Sequence, residues 1–397
     1  MTEFAVMPLA DYAAACDVVR ALDGGTDAIV SGALATRIAA LSAAESGSAA
    51  AGKIYGVRWD RSGSTKLTRT DDAADFSEPV PAIGGTGGSS PFDHILPWAG
   101  MQKIEDAAAG TMVVIPKFYY RWVDSSDALT LQIASEPVSG FSVSPAHMAR
   151  GDGAGERDVV YLARYKCAGT AGISISGEAP TATLTRAAFR EGAAALGTGY
   201  SQQDFAMFWT LRMLFLVEYA SWDGQSSIGC GCGDGSAAAE TGTTDGMTYH
   251  TGTMQESLDA YGQGVQYRWI EDPWGGLLEW VDGCYFDGDH NLFLIPNPAD
   301  FSDDTGGTEV GALNLYGYVT EWYIPTADGF EWALLPAAVG GSAGSYIPDS
   351  CGLFSGPCMT VGGQYKQQST VAGPFRIYAT SVSAAYATIG ARLQRLP

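Results

Sequence analysis

Long hydrophobic runs are absent from this chain of 397 residues. A helix that crosses a membrane needs roughly 18 or more consecutive apolar residues, whereas the most apolar segment, 205–219, is interrupted by Arg212 and Glu218. That segment therefore predicts a helix buried in a protein core. The N-terminus has Glu3 and no basic region, so no signal peptide is expected. We expect synthesis in the cytoplasm and no insertion into a membrane.

Positive charge is scarce. Lys and Arg number 22 against 44 Asp and Glu, which gives a formal net charge of −22. A chain with this charge is repelled by phosphate backbones and by anionic lipid headgroups. We therefore expect no nucleic-acid partner and no role on a membrane surface.

Signals for cofactors are weak. The seven cysteines are odd in number and irregularly spaced, which favours free thiols over a disulfide framework. Cys230 and Cys232 have no second pair or nearby His, so loop thiols are favoured over metal ligands. Segment 287–291 resembles the start of a calcium loop, but it lacks the Gly and the Glu that complete one. An acidic turn is favoured there, an irregular Ca²⁺ site is the alternative, and we expect no cofactor.

Motifs of catalysis are also missing. Gly47 to Lys53 has the spacing of a phosphate-binding loop, but Ile54 stands where a hydroxyl residue would bind Mg²⁺. Glu279 lies in an apolar, strand-like run, so we interpret it as structural and bonded to backbone donors instead of as half of a glycosidase pair. The same two interpretations apply to the acidic residues Glu271, Asp272 and Asp282. Surface or core roles are expected for the four histidines, His94, His147, His250 and His290.

Glycine and the large aromatic residues are plentiful, with 51 Gly, 19 Tyr and 10 Trp. This composition favours many short strands and long ordered loops over a helical bundle. It also suits a surface that binds through aromatic side chains.

The chain divides into three predicted parts. Residues 1–50 show two short helical stripes that need a partner to cover them, so we expect a helical segment for attachment or oligomerisation. Residues 51–90 are predicted to be a small β linker module. Residues 91–397 have strands at 111–122, interrupted by Pro116, and at 159–165, helices at 185–196 and 203–219, and then a long β-rich region. This order indicates the α+β class.

Three segments carry a resemblance to a known family. They are 208–231, in which a helix leads into a Gly-rich loop, 270–283, which contains the Leu-Glu-Trp run, and 362–393, which opens with Gly362-Gly363 and closes with Ile389-Gly390-Ala391-Arg392. Together they resemble the formylglycine-generating-enzyme subtype of the C-type lectin fold. The last segment is similar to the variable region of diversity-generating-retroelement proteins, including phage tropism determinants.

This resemblance implies a C-type-lectin-like domain over 91–397, preceded by a small helical/β N-terminal module. It implies a phage tail receptor-binding protein, an adhesin of the virion, that recognises a bacterial surface receptor through a diversified segment at 362–389. A homotrimer in contact with other tail proteins is expected. Formylglycine formation needs two cysteines after the Gly-Gly pair, and none occurs from Val361 onwards, so no enzymatic activity is expected.

The expected ligand-binding side chains lie between the two anchors. Residues 364–368 are consecutive polar or amphipathic side chains, which a core strand would not carry. Further on, Phe375, Ile377 and Ala379 alternate with Arg376, Tyr378 and Thr380, and the sequence leaves open which of the two sets faces outward. The resemblance implies ligand binding by Gln364, Tyr365, Lys366, Gln367, Gln368, Thr370, Arg376, Ile377, Tyr378, Ala379, Thr380, Ala384, Tyr386 and Thr388.

Two alternatives remain at this stage. A structural tail or baseplate protein without receptor contact would bury the side chains of 362–389 against a neighbouring subunit. An enzyme of the formylglycine or glycan-cleaving type would need the chemistry that the sequence lacks. Whether the receptor is a protein or a glycan stays open.

Overall fold

A computed structural model describes residues 52–61, 65–170, 172–233, 235, 237–342, 344, 347–353, 356–366 and 372–397. The predicted helical segment 1–50 lies outside the described residues. So do residues 47–51 of the segment Gly47 to Lys53, which has the spacing of a phosphate-binding loop. So do Gln367, Gln368 and Thr370 of the expected binding set.

The first strands are numbered in chain order as β1 (Tyr55–Trp59), β2 (Thr68–Asp71), β3 (Lys103–Asp106), β4 (Gly110–Pro116), β5 (Tyr119–Asp124), β6 (Leu129–Ala134), β7 (Ser142–Val143) and β8 (Val159–Ala163). The predicted interruption near Pro116 is confirmed, because β4 ends at this residue. Proline lacks the N–H that would continue the ladder.

Residues 52–90 are not a separate module. Strand β1 pairs with β6 along its whole length, in a sheet of order β2-β1-β6-β5-β7. Its Val57 and Trp59 are fully buried in the same hydrophobic cluster as residues near the C-terminus. Farther along, the backbone of Ala82 bonds to that of Thr253. The expected boundary at residue 90 is therefore corrected, because one sheet and one core cross it.

Three helices follow, α1 (Arg186–Ala194), α2 (Phe205–Tyr219) and α3 (Gly224–Ile228). Thr185 and Asp204 cap α1 and α2 by accepting backbone N–H groups of the first turn. Every residue of α2 is buried, as expected for a helix that is apolar around its whole circumference. In the described part of the chain, no helix combines the length and apolar character needed to cross a membrane.

The remaining strands are mostly short: β9 (Tyr200–Gln202), β10 (Gly252–Thr253), β11 (Val265–Tyr267), β12 (Ile270–Glu271), β13 (Leu278–Val281), β14 (Cys284–Phe286), β15 (Asn291–Leu294), β16 (Thr308–Ala312), β17 (Tyr316–Tyr323), β18 (Leu335–Val339), β19 (Ser350–Gly352), β20 (Cys358–Val361), β21 (Ile377–Thr380), β22 (Ile389–Gly390) and β23 (Leu393–Arg395). Short 3-10 turns occur at Trp98–Gly100 and Pro298–Asp300.

Two larger sheets organise the rest of the fold. A seven-stranded sheet has the order β18-β17-β19-β21-β20-β13-β22, and a five-stranded sheet has the order β3-β4-β8-β23-β9. Two three-stranded sheets, β10-β11-β12 and β14-β15-β16, complete the set. In the five-stranded sheet, β23 lies between β8 and β9. The fold is thus a β-rich member of the α+β class.

The seven-stranded sheet has two differently covered faces. Ile377, Ala379 and Val319 point from one face into the large cluster that also contains α2. On the opposite face, Trp280 and Cys358 join a second cluster with Phe189 of α1. Where β17, β19 and β21 form that opposite face, none of their described side chains belongs to the buried residues of either cluster. This part of the sheet positions the candidate site.

Candidate functional site

The paired glycines lie at the start of segment 363–373, of which the structure describes 363–366 and 372–373, and which is called the candidate loop. Gly362 and Gly363 have φ angles of +89° and +104°, in the region that favours glycine. The N–H of Gly362 donates to the carbonyl of Arg376 at 3.2 Å, and the carbonyl of Gly362 accepts from the N–H of Gly373 at 3.0 Å. A Cβ on Gly363 would overlap Ala372. The loop therefore has a fixed base that other residues cannot form without strain.

A buried carboxyl lies beneath this loop. Asp349, directly before β19, accepts the N–H of Phe375 at 2.8 Å and is fully buried. Its side chain occupies the space that a Cβ on Gly373 would need. Burial raises the pKa of Asp349 to about 8, so the carboxyl is largely protonated at neutral pH.

Helix α2 supports the loop from the same side. The Arg212 guanidinium donates from Nε to the carbonyl of Pro374 at 2.9 Å and from Nη2 to the carbonyl of Pro273 at 3.1 Å. Burial lowers the pKa of Arg212 to about 10. Arg212, which interrupts the apolar run of α2, thus has a structural role, because its hydrogen bonds attach the end of the loop to the core.

The second anchor, Ile389 to Arg392, is held by a buried ion-pair network. Arg392 donates to Glu279 at 3.0 and 2.9 Å and to the carbonyl of Ala163 at 2.9 Å, and Lys166 also bonds to Glu279. Burial raises the pKa of Glu279, but the combined effect of Arg392 and Lys166 lowers this pKa to about 2. The expectation that backbone donors satisfy Glu279 was wrong, because its partners are these two side chains.

The other acidic candidates are engaged as well. Glu271 accepts the backbone N–H groups of Gly242 and Thr244 at 2.7 and 2.8 Å. Asp282 is paired with Arg190 at 2.6 and 2.9 Å. Asp272 accepts the N–H of Val265 at 3.2 Å, and burial raises its pKa to about 7. All three carboxyl groups thus have structural partners.

Strand β21 settles the phase that the sequence left open. Ile377 and Ala379 are each 1% exposed and point into the core, so their expected outward orientation was wrong. The reason is the central position of β21 between β19 and β20, in a sheet whose inner face covers α2. Tyr378 and Thr380 alternate with them and are half-buried on the opposite face.

Three more members of the expected set are buried. Ala384 packs beside Trp280 in the second cluster, which corrects its predicted exposure. Tyr365 packs on Leu277 and Cys232, and Arg376 is 4% exposed. These three residues lie beneath the exposed side chains and support them, and they do not form the outer surface.

The remaining described members reach solvent. Lys366 is exposed, Tyr386 is 57% exposed, and Gln364 and Thr388 are half-buried. The backbone carbonyl of Tyr386 accepts the N–H of Thr183 at 3.2 Å. Its ring is thus presented from a loop that is tied to the segment preceding α1.

Sequence reasoning missed the tyrosines that flank the segment. Tyr316 of β17 is 71% exposed and Tyr318 is half-buried. Tyr316 pairs with Gly352 of β19, and Gly352 pairs with Tyr378 of β21. The only sequence signal was the alternating Tyr-Gly-Tyr-Val run, which indicates a strand but not its neighbours.

The six described cysteines are all buried. At 287–291 the chain forms an acidic turn, in which Asp287 accepts the N–H groups of Asp289 and Asn291 at 2.9 Å each. Across the described ranges, no three His, Cys, Asp or Glu side chains are grouped closely enough to hold a metal ion. A depression of about 500 Å³ beside this turn is lined by Tyr285, Phe286, Asp287, Gly288, His290, Asp304, Gly356 and Pro357.

No family model matches the chain, and no curated protein is similar to it. The geometry of the site therefore carries the functional interpretation.

Proposed function

We propose that the chain is a phage tail receptor-binding protein in which a C-type-lectin-like domain of the formylglycine-generating-enzyme subtype presents segment 362–389 to a bacterial surface receptor. The observation that carries the proposal is the contrast within this segment. Both of its ends are fixed, by Gly362 and Arg392, while side chains between them, such as Lys366 and Tyr386, face solvent. A rigid frame with exchangeable outer side chains suits recognition at low entropic cost.

The buried and the surface side chains of segment 362–389 have different roles in this proposal. Ile377, Ala379 and Ala384 belong to the framework, so variation there would disturb packing. Gln364, Lys366, Tyr378 and Tyr386 reach the surface to different extents, and substitution there changes the ligand contacts with little effect on the fold.

The chemistry of the site favours binding over catalysis. The carboxylates considered as catalytic candidates have structural partners, and the sequence has no cysteine from Val361 to Pro397. We infer a binding protein whose affinity per copy is multiplied by several copies on one particle, with a homotrimer and other tail proteins as partners.

Adsorption of the particle to bacteria tests this proposal. Particles carrying Gln364→Ser, Lys366→Ser and Tyr386→Ser together are expected to lose adsorption, while Tyr261→Ser serves as the matched control at another exposed tyrosine, 38% exposed. Far-ultraviolet circular dichroism and thermal melting of the purified variants check that the fold is retained. Undiminished adsorption by a folded triple variant would leave a structural tail protein as the better interpretation.

A further inference from the structure

On β17, β19 and β21 the seven-stranded sheet carries a row of half-buried and exposed tyrosines that extends beyond segment 362–389. Tyr316, Gly352 and Tyr378 are cross-strand neighbours on β17, β19 and β21, so their side-chain directions share one face. In the adjoining row, Tyr318 pairs with Ser350, and Ser350 accepts a hydrogen bond from Arg376 at 2.7 Å. We call Tyr316, Tyr318, Ser350, Arg376, Tyr378 and Thr380 the tyrosine face.

The ring of Tyr378 on this face is held in place by its neighbours. A Cβ on Gly352 would overlap the ring of Tyr378, which means that this ring lies across the glycine of the neighbouring strand. The Arg376 guanidinium lies 5.5 Å from the centroid of the same ring, within the range of a cation–π interaction. Since packing already orders the ring of Tyr378, little further entropy is lost when this residue binds a partner.

Arg376 also connects the two halves of the face electrostatically. Burial lowers the pKa of Arg376, and Asp349, Tyr378, Tyr316 and Tyr318 oppose that effect. The buried Arg376 guanidinium contacts β19 through Ser350 and β21 through the ring of Tyr378. Residues from outside the segment and residues within it form a single structural unit.

The shape of the face indicates the class of partner. The depression near Asp287 and a smaller one near Phe330 are lined by other residues, and a sheet face with tyrosine, serine and threonine side chains resembles a protein-binding surface in composition. A small saccharide is held best in a concave site. With a net charge of −22 for the chain, an acidic partner would be repelled.

We propose that Tyr316 and Tyr318 are specificity-determining residues of the recognition surface and that the receptor bound across the tyrosine face is a folded protein with a neutral or basic surface. This inference rests on the proposed function and names its partner class. Truncation of a central interface tyrosine commonly weakens binding by roughly tenfold or more. Tyr316 is 71% exposed, and its truncation is expected to weaken binding by a similar factor.

The first experiment compares particles carrying Tyr316→Ala, Tyr318→Ala and the control Tyr261→Ala in adsorption to the bacteria that the particle infects. We expect the adsorption rate constant to fall roughly tenfold for the first two variants and to stay unchanged for the control. Tyr316→Phe, which keeps the ring, is expected to restore most of the adsorption. Wild-type adsorption by folded Tyr316→Ala and Tyr318→Ala particles overturns the inference.

The second experiment identifies the class of receptor. Bacteria are treated with a protease or with periodate, which oxidises glycans, before the particles are added. Loss of adsorption after protease alone supports a protein receptor, whereas loss after periodate alone overturns the inference. A change in the oligomeric state of purified Tyr316→Ala, measured by light scattering, also overturns it, because the face would then be a contact between copies.

The two proposals fail separately. If the triple variant in 364–386 loses adsorption while the tyrosine variants keep it, the receptor-binding function stands and the extended face is rejected. If none of these folded variants loses adsorption, the proposed function itself is rejected.

Discussion

Replacement of Asp349 by Asn tests how a buried acid supports the candidate loop. Asn has nearly the same shape and keeps an oxygen that accepts the N–H of Phe375, but it has no proton to lose. The pKa of Asp349 is raised to about 8, whereas an unfolded chain has an Asp pKa of about 4. The variant therefore removes one titration and leaves the geometry in place.

The sign and the size of the effect follow from linkage. Between these two pKa values the folded protein keeps a proton that the unfolded chain has lost, so the contribution of Asp349 to stability falls as the pH rises. One pKa unit corresponds to about 1.4 kcal/mol, which gives a loss of roughly 4 kcal/mol between about pH 5 and about pH 8. Burial and nearby Asp223 raise this pKa, and the N–H of Phe375 and the guanidinium groups of Arg376 and Arg212 oppose them.

The assay is urea unfolding at a series of pH values for the wild type, Asp349→Asn and the control Asp289→Asn, which changes an exposed acid. We expect the difference in unfolding free energy between Asp349→Asn and the wild type to shift in favour of the variant as the pH rises. The slope of this difference is the readout, since the new amide adds a contribution that does not depend on pH. Parallel pH profiles for the two proteins would refute a protonated Asp349.

Three further predictions concern the framework. Arg392→Ala leaves Glu279 without its closest guanidinium and is expected to lower the unfolding free energy by about 3–5 kcal/mol, measured by urea unfolding. Gly363→Ala forces a side chain into a backbone with φ +104° and against Ala372, so about 1–3 kcal/mol of destabilisation and weaker adsorption are expected; equal melting temperatures would contradict this. His147 is buried and its pKa is lowered to about 4, so stability linked to it is lost as the pH falls from about 6.5 towards 4, and nitrogen NMR at about pH 5 should find the ring neutral.

Local patterns were enough to predict α1 and α2, whereas the short helix α3 was not expected. The apolar run of α2 and the polar residues at Thr185 and Asp204 are signals within one turn of the chain, and Pro116 ends β4 for a reason that its own ring supplies. The alternation at 375–380 correctly separated two sets of side chains. It did not give their direction, because that depends on which strands lie beside β21.

The contacts that complete the site join distant parts of the chain. Glu279 meets Arg392 and Lys166 across separations of 113 residues in each direction, and no pattern near Glu279 points to either partner. Tyr316 joins Tyr378 only because β19 lies between their strands. Pairings of this kind are set by tertiary packing, which overrides the local preference of a strand.

Strand β23 has a consequence for how the molecule is assembled. Because it occupies a place between β8 and β9, neither of those earlier strands has its full set of hydrogen-bonding neighbours while the chain is still being synthesised. Completion of the sheet must wait until residue 395 has left the ribosome, and until then two strand edges stay open to wrong pairing. The same late step brings Arg392 to Glu279, so the candidate loop acquires its second anchor only when the whole domain closes.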